Sequence, residues 1–104
     1  MRGDIHRLRA PQGSRGHEQS GARFAVILQS DHLMLSTLLV APTSRSAQPQ
    51  SFRPIISIGG ERTQVLVEQT SAVAPERLGI LVGHVSREEL DRIDEALCLA
   101  LELD

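Results

Sequence analysis

The chain has 104 residues, 40% hydrophobic and 23% charged, which excludes a disordered protein and predicts one domain over residues 1–104. The net charge is −2, no apolar run approaches the roughly 20 residues of a membrane span, and no cleavable signal follows Met1, which favours a cytoplasmic protein. One cysteine, Cys98, excludes an intramolecular disulfide, and the absence of Tyr and Trp excludes most stacking residues of single-strand RNA binders.

The charge is distributed unevenly along the chain. Residues 1–62 carry eight arginines against four acidic residues, whereas residues 85–104 carry two arginines against seven. Every basic side chain is arginine, which suits bidentate contacts with phosphate. Because the arginines are spread over the whole chain, a compositional bias of the genome explains them better than a dedicated phosphate site does.

The first half of the chain predicts three strands and two loops. Alternation over residues 4–8 predicts a short strand, and the apolar run 23–29 predicts a central strand buried on both faces. Residues 37–41 predict a further strand that Pro42 ends. The glycine-rich residues 9–21 and the polar residues 43–50 are predicted to be loops.

A hairpin and a helix are predicted after these loops. Residues 52–58 and 63–68 are rich in residues that favour β-strands, and with Gly59 and Gly60 between them they predict a β-hairpin. Pro54 cannot donate a backbone hydrogen bond, which predicts that the first of these strands lies at the edge of the sheet. Ser86 and Glu89 form a capping box before a helical apolar repeat over residues 87–103. Strands followed by one long helix predict an α+β domain, a small curled antiparallel sheet or barrel with the helix packed against it.

The chemistry-bearing residues exclude several classes of site. The four histidines and the cysteine lack metal-ligand spacing, so we expect no dedicated metal site and no cofactor. The absence of lysine excludes a Walker-type phosphate loop and a Schiff-base enzyme. An arginine that opens a buried strand, Arg23, beside a threonine that ends its neighbour, Thr43, predicts a compact anion site. The alternative is structural: Arg23 pairs with Glu18 and Thr43 starts a turn.

Five segments resemble a known family. The string Gly16-x-Glu18-Gln19-x-Gly21-x-Arg23, placed before an apolar strand, resembles the G-S-E-Q-x-G-x-R segment of MazF/PemK toxins, the ribonuclease halves of bacterial toxin–antitoxin pairs. The other four segments follow in the family's order: Arg2-Gly3-Asp4-Ile5, Val40-Ala41-Pro42-Thr43-Ser44, Val67-Glu68-Gln69, and the run Arg77 to Ser86 before the final helix. The resemblance covers nearly the whole chain.

The resemblance implies a CcdB/MazF-type, SH3-like barrel that forms a homodimer, pairs with a MazE-like antitoxin and cuts single-stranded RNA without a metal. Arg23 and Thr43 would be its catalytic arginine and threonine, and Glu18 the acidic residue of the preceding loop. Phe24 departs from the family, which usually has proline there. We also predict that further polar residues in or next to the matched segments bind substrate, namely His17, Gln19, Ser44, Arg45 and Gln69.

The proposed chemistry follows from the residue types. In RNA cleavage by the 2′-OH, Arg23 can neutralise the phosphorane and Thr43 can donate a hydrogen bond to it. Arginine is a poor base, so Glu18 or His17 accepts the proton, or the transfer is distributed. DNA lacks the 2′-OH, which predicts specificity for RNA. The alternative function is a CcdB-like toxin of the same fold that binds and inhibits a protein target.

Overall fold

The computed structural model describes residues 1–9 and 23–103. These residues form an antiparallel sheet followed by a C-terminal helix, with 3-10 turns at Val67–Gln69 and Pro75–Arg77. The elements are β1 (Asp4–Leu8), β2 (Phe24–Ile27), β3 (Leu38–Ser44), β4 (Ile55–Ile58), β5 (Glu61–Val65), β6 (Ser71–Val73), β7 (Leu78–His84) and α1 (Arg87–Leu101). The loop predicted over residues 9–21 falls almost entirely outside the described residues.

Strand β2 is the central strand that its apolar run predicts. Ala25 and Ile27 pack into an apolar cluster on one face of the sheet, whereas Val26 and Leu28 pack into a larger cluster on the other face. All four side chains are buried because β2 lies between β1 and β3 and each of its faces is covered. The prediction of burial on both faces is confirmed.

Strand β3 continues through Pro42 to Ser44, so the prediction that Pro42 ends this strand is wrong. Pro42 pairs with Ala25 of β2, while its carbonyl accepts the Leu66 amide at 2.9 Å on the opposite side of β3. The amide and carbonyl of one strand residue point to the same side, so the missing N–H of Pro42 faces away from β2. The β2–β3 ladder therefore loses no hydrogen bond, and the predicted second loop begins after Ser44.

Pairing along β3 makes the sheet curl. One edge of β3 pairs with β2, and the other edge pairs first with β6 and then, at Thr43 and Ser44, with β5. The strand order β4-β5-β3-β2-β1-β7 therefore bends into an antiparallel half-barrel whose edge strands are β4 and β7. At one end of the half-barrel, Ile58 of β4 and Val82 of β7 line the same cavity.

The hairpin prediction is confirmed. Strands β4 and β5 pair antiparallel, and Gly59 and Gly60 between them have φ values of +59° and +84°. Side chains rarely adopt positive φ, and two such residues in a row fit the twist that a tight hairpin needs. Strand β4 lies at the edge of the sheet, as Pro54 before it indicates.

Helix α1 begins at the predicted capping box. The Glu89 amide donates to the Ser86 hydroxyl at 3.1 Å, and the Ser86 amide donates to the Glu89 carboxylate at 2.8 Å. The helix ends at Leu101, two residues before the predicted end, because Glu102 adopts a left-handed conformation. Its apolar stripe buries Ile93 against the inner face of the half-barrel.

Strands β6 and β7 have no counterpart among the predicted elements. Strand β7 pairs with β1, with two register shifts, and exposes Ile80 and Leu81 to 67% and 58%. Because β7 lies at the sheet edge, its residues do not alternate between buried and exposed. Its sequence therefore lacks the alternation of apolar and polar residues that predicts a strand.

Candidate functional site

Arg23 lies immediately before β2 and is exposed. The Leu8 amide donates to the Arg23 carbonyl at 2.9 Å, which attaches the backbone at this position to the end of β1. An arginine that opens a strand after a polar loop is expected to reach solvent, and Arg23 does. A guanidinium on a fixed backbone, unburied, is suited to contact an anion that approaches from solvent.

Thr43 lies inside β3 rather than at the start of a loop. Its side chain is 7% exposed, and its hydroxyl donates to the Phe24 carbonyl at 3.3 Å. A threonine at the end of a strand, as predicted for Thr43, could be truncated without opening space in the core. Here the strand continues past Pro42 and Thr43 is buried, so that expectation is wrong. The hydrogen bond to Phe24, the neighbour of Arg23, places the Thr43 hydroxyl beside the start of β2.

Ser44 is the second hydroxyl at this end of the sheet. Ala25 pairs with Pro42, so the register continued by two residues sets Arg23 across from Ser44. The Ser44 hydroxyl accepts the amides of Ser46 at 3.3 Å and Ala47 at 3.0 Å. Ser44 therefore shapes the start of the following loop beside Arg23.

Arg45 opens this loop and forms an ion pair with Glu61 of β5. The rest of the loop is anchored through Arg53, whose guanidinium donates to the Gln48 carbonyl at 2.8 Å and to the Glu68 carboxylate at 2.8 Å. The side chains of Arg53 and Glu68 are 18% and 28% exposed, so the pair is less screened than one between fully exposed side chains. The loop that carries Arg45 is thus held on both sides.

The other predicted site residues are not brought to Arg23 by any contact in the described parts of the chain. Gln69 is exposed at the end of the first 3-10 turn, where its backbone N–H donates to the Leu66 carbonyl. Glu18, His17 and Gln19 lie outside the described residues.

Several arginines lie at the Arg23 end of β1. Arg7 pairs with Phe24 across the β1–β2 ladder and is exposed. The Arg9 guanidinium donates to the Glu76 carbonyl at 3.0 Å, and the Arg77 Nε donates to the Arg9 carbonyl at 2.8 Å. Together with Arg23 they give this end of the sheet a positive charge, which attracts phosphate groups.

At the opposite end of β1, Asp4 has a lowered pKa. The His84 ring Nδ1 donates a hydrogen bond to the Asp4 carboxylate at 2.7 Å, and the N-terminal ammonium lies 3.2 Å from this carboxylate. Partial burial raises the pKa of Asp4, but the His84 hydrogen bond and the ammonium outweigh it and lower the pKa below its ordinary value. This pair lies at the far end of β1 from Arg23.

A cavity of about 420 Å³ opens beside Phe24, at the mouth of the half-barrel. Among the predicted site residues in the described parts of the chain, Arg45 lines it. The further lining residues are Phe24, Ile58, Gly59, Glu61, Thr63 and Val82. The sequence gives two weak signals for this cavity, since Phe24 is one of only two aromatic residues and directly follows Arg23.

The described residues form a curled antiparallel half-barrel sheet with one C-terminal helix, which is the fold of MazF-like proteins. The family model of the PemK-like, MazF-like toxins of type II toxin–antitoxin systems matches residues 1–101, so the chain belongs to this family. Members of the family are named endoribonucleases.

Individual relatives agree with this assignment. A Mycobacterium tuberculosis protein named as a toxin is 34% identical over 104 residues, which cover 99% of this chain and 98% of that protein. Endoribonuclease MazF9 of the same organism is 34% identical over 102 residues, with 86% of each chain covered. The fold is that of a mycobacterial endoribonuclease solved with its cognate antitoxin, at a TM-score of 0.78 and 17% identity, covering 100% of this chain and 96% of that one.

Within the described residues, we find no helix whose length and hydropathy would let it cross a bilayer.

Proposed function

We propose that this chain is the toxin of a type II toxin–antitoxin pair and cleaves single-stranded RNA in the cytoplasm without a metal ion. The observation that carries the proposal is the position of exposed Arg23, which directly precedes the Phe24 carbonyl that accepts the Thr43 hydroxyl and lies across the β2–β3 register from Ser44, at an end of the sheet rich in arginine. These residues lie in two of the five segments that resemble the family.

The reaction is a transesterification followed by release of the downstream strand. The 2′-oxygen forms a bond to the scissile phosphorus, the bond from phosphorus to the 5′-oxygen breaks, and the products end in a 2′,3′-cyclic phosphate and a 5′-hydroxyl. Arg23 neutralises the non-bridging oxygens with its planar fork, and the hydroxyl of Thr43 donates to the charge that develops on them. This role requires Thr43 to redirect its hydroxyl from the Phe24 carbonyl to the phosphate.

One proton leaves the 2′-oxygen and one reaches the 5′-oxygen. Arginine remains protonated at neutral pH, so Arg23 is a poor acceptor of the first proton. Glu18 and His17 are the proposed acceptors, and either can return the proton to the leaving 5′-oxygen. We assign Gln19, Arg45 and Gln69 to substrate contacts.

Substitution of Arg23 tests the proposal. Arg23→Ala removes the charge and should lower the cleavage rate of a long RNA in EDTA by at least the 10²–10³ typical of one lost oxyanion donor. Arg23→Lys keeps the charge but loses the fork, and should also be slow. Arg87→Ala is the matched control, because Arg87 is an exposed arginine on α1, away from this site.

The outcomes of these measurements distinguish the proposed ribonuclease from its alternative. Full cleavage by Arg23→Ala, with an unchanged thermal midpoint, would refute the assignment. Absence of cleavage by the wild-type chain, with growth arrest on its expression, would favour the CcdB-like alternative, because blocking a protein target needs no reacting arginine.

Two protein partners complete the proposal. An acidic antitoxin segment can occupy the arginine-rich end of the sheet in place of RNA, and such binding should weaken as salt increases. A second copy of the chain can cover the exposed Ile80 and Leu81 on the edge strand β7. An antitoxin peptide that binds equally well at high salt and leaves cleavage unchanged would contradict the shared site.

A further inference from the structure

The cavity at the mouth of the half-barrel has three apolar walls from three different strands. Phe24 of β2, Ile58 of β4 and Val82 of β7 line it. Phe24 and Ile58 are only partly buried, and both pack against the main apolar cluster with the rest of their surface. The backs of these two side chains are therefore fixed while their open faces line the cavity.

The rim of the cavity is polar. The Arg45 guanidinium and the Glu61 carboxylate pair there, with 66% and 61% of their side chains exposed, so both retain donor and acceptor capacity for a ligand. Thr63, only 5% exposed, also lines the cavity from β5. An aromatic wall beneath a carboxylate and a guanidinium fits a flat heterocycle with hydrogen-bonding groups along one edge.

We propose that this cavity binds a guanine base of the RNA substrate; the inference rests on the proposed ribonuclease function. Guanine has two adjacent donors, N1–H and N2–H2, next to the acceptor O6. The Glu61 carboxylate accepts the two donors, the Arg45 guanidinium donates to O6, and the base stacks on Phe24. The other bases lack two adjacent donors, so they use only one oxygen of Glu61.

The position along the RNA follows from the chain. Phe24 directly follows Arg23, and consecutive Cα atoms lie about 3.8 Å apart. Successive side chains of an extended segment point to opposite faces, so a base on Phe24 belongs to a nucleotide within a few positions of the phosphate that Arg23 contacts.

Nucleotide binding tests the pocket independently of cleavage. Methyl NMR spectra of the full chain are recorded with each of the four ribonucleoside 5′-monophosphates as probes. Guanosine monophosphate should shift the Ile58 and Val82 methyl signals at a lower concentration than the other three. Glu61→Gln should weaken this binding at least fivefold, because one good bidentate contact corresponds to a factor of about 5 to 150.

Two further variants separate the parts of the pocket. Phe24→Leu keeps the apolar packing but removes the aromatic face, and should weaken the binding of all four nucleotides. Glu88→Gln is the matched control, since Glu88 is an exposed carboxylate in the first turn of α1 and should bind as wild type. A Glu61→Gln variant that retains the guanine preference would overturn the assignment of Glu61.

Cleavage maps complete the experiment. The ends that the wild-type chain produces in a random RNA pool should show guanine at one position near the cut, and Glu61→Gln should lose that preference while still cleaving. If no nucleotide shifts the methyl signals, or if only an antitoxin peptide does, the base pocket is wrong even where RNA is cut. If guanosine monophosphate binds at these methyls but no RNA is cleaved, the pocket stands and the ribonuclease function fails.

Discussion

Substitutions of Thr43 separate its part in the chemistry from its part in the fold. Thr43 is 7% exposed and its hydroxyl donates to the Phe24 carbonyl at 3.3 Å. Thr43→Ala removes a buried methyl, worth about 1 kcal/mol, together with a hydrogen bond worth about 0.5–1.5 kcal/mol. We expect a loss of about 2 kcal/mol in the free energy of unfolding, which lowers the thermal midpoint by roughly 8–16 °C in a domain of this size.

Two conservative variants divide this loss. Thr43→Val keeps the shape of the side chain and removes only the hydroxyl, so it should cost about 1 kcal/mol in stability and about 10²–10³ in cleavage rate. Thr43→Ser keeps the hydroxyl and removes the methyl, so it should cost a similar stability and retain most of the activity. Thermal midpoints and initial rates of RNA cleavage, measured side by side, give both quantities.

Thr70 provides the matched control. Its hydroxyl donates to the Val67 carbonyl at 2.7 Å, the same kind of bond in the 3-10 turn after β5. Thr70→Val should lower the thermal midpoint about as much as Thr43→Val and leave the cleavage rate unchanged. Cleavage at the wild-type rate by Thr43→Val, or equal inactivity of Thr43→Ser and Thr43→Val, would refute the role of the Thr43 hydroxyl.

Three further predictions concern stability and assembly. The pKa of Asp4 is lowered in the folded chain, so its contacts stabilise the fold at pH values above its ordinary pKa of 3.8. This stabilisation is lost as the pH falls through the lower pKa of the folded state. The difference in thermal midpoint between wild type and Asp4→Asn should therefore shrink from pH 7 to pH 3. Ser86→Ala removes the N-cap of α1 and should cost about 1 kcal/mol, or roughly 4–8 °C, in a thermal melt, whereas an unchanged midpoint would show that the cap contributes nothing. Sedimentation of the wild-type chain at micromolar concentration should give twice the mass of one chain. Leu81→Asp, on the exposed edge strand β7, should give the mass of a single chain. A monomeric wild-type chain would contradict the dimer.

The candidate site was predictable from sequence only in its residue types. The motif around Arg23 and its place before an apolar strand indicate an exposed guanidinium, and the structure has one there. The burial of Thr43 was not predictable, because it depends on β3 continuing through Pro42, and that depends on which edge of β3 faces β2. The ion pair of Arg45 with Glu61 was not predictable either, because it joins a loop to a strand of the later hairpin and the two residues are distant in the chain.

The sequence by itself determined the elements whose cause lies within a few residues. Gly59 and Gly60 fix the hairpin because their φ values are positive, and Ser86 with Glu89 fix the start of α1 because they satisfy each other's amides. The tertiary structure alone decided the position of β7 and the existence of the cavity beside Phe24. Both depend on the curl of the whole sheet, which arises from pairings between residues that are distant in the chain. This curl brings the edge strands β4 and β7 to the same cavity.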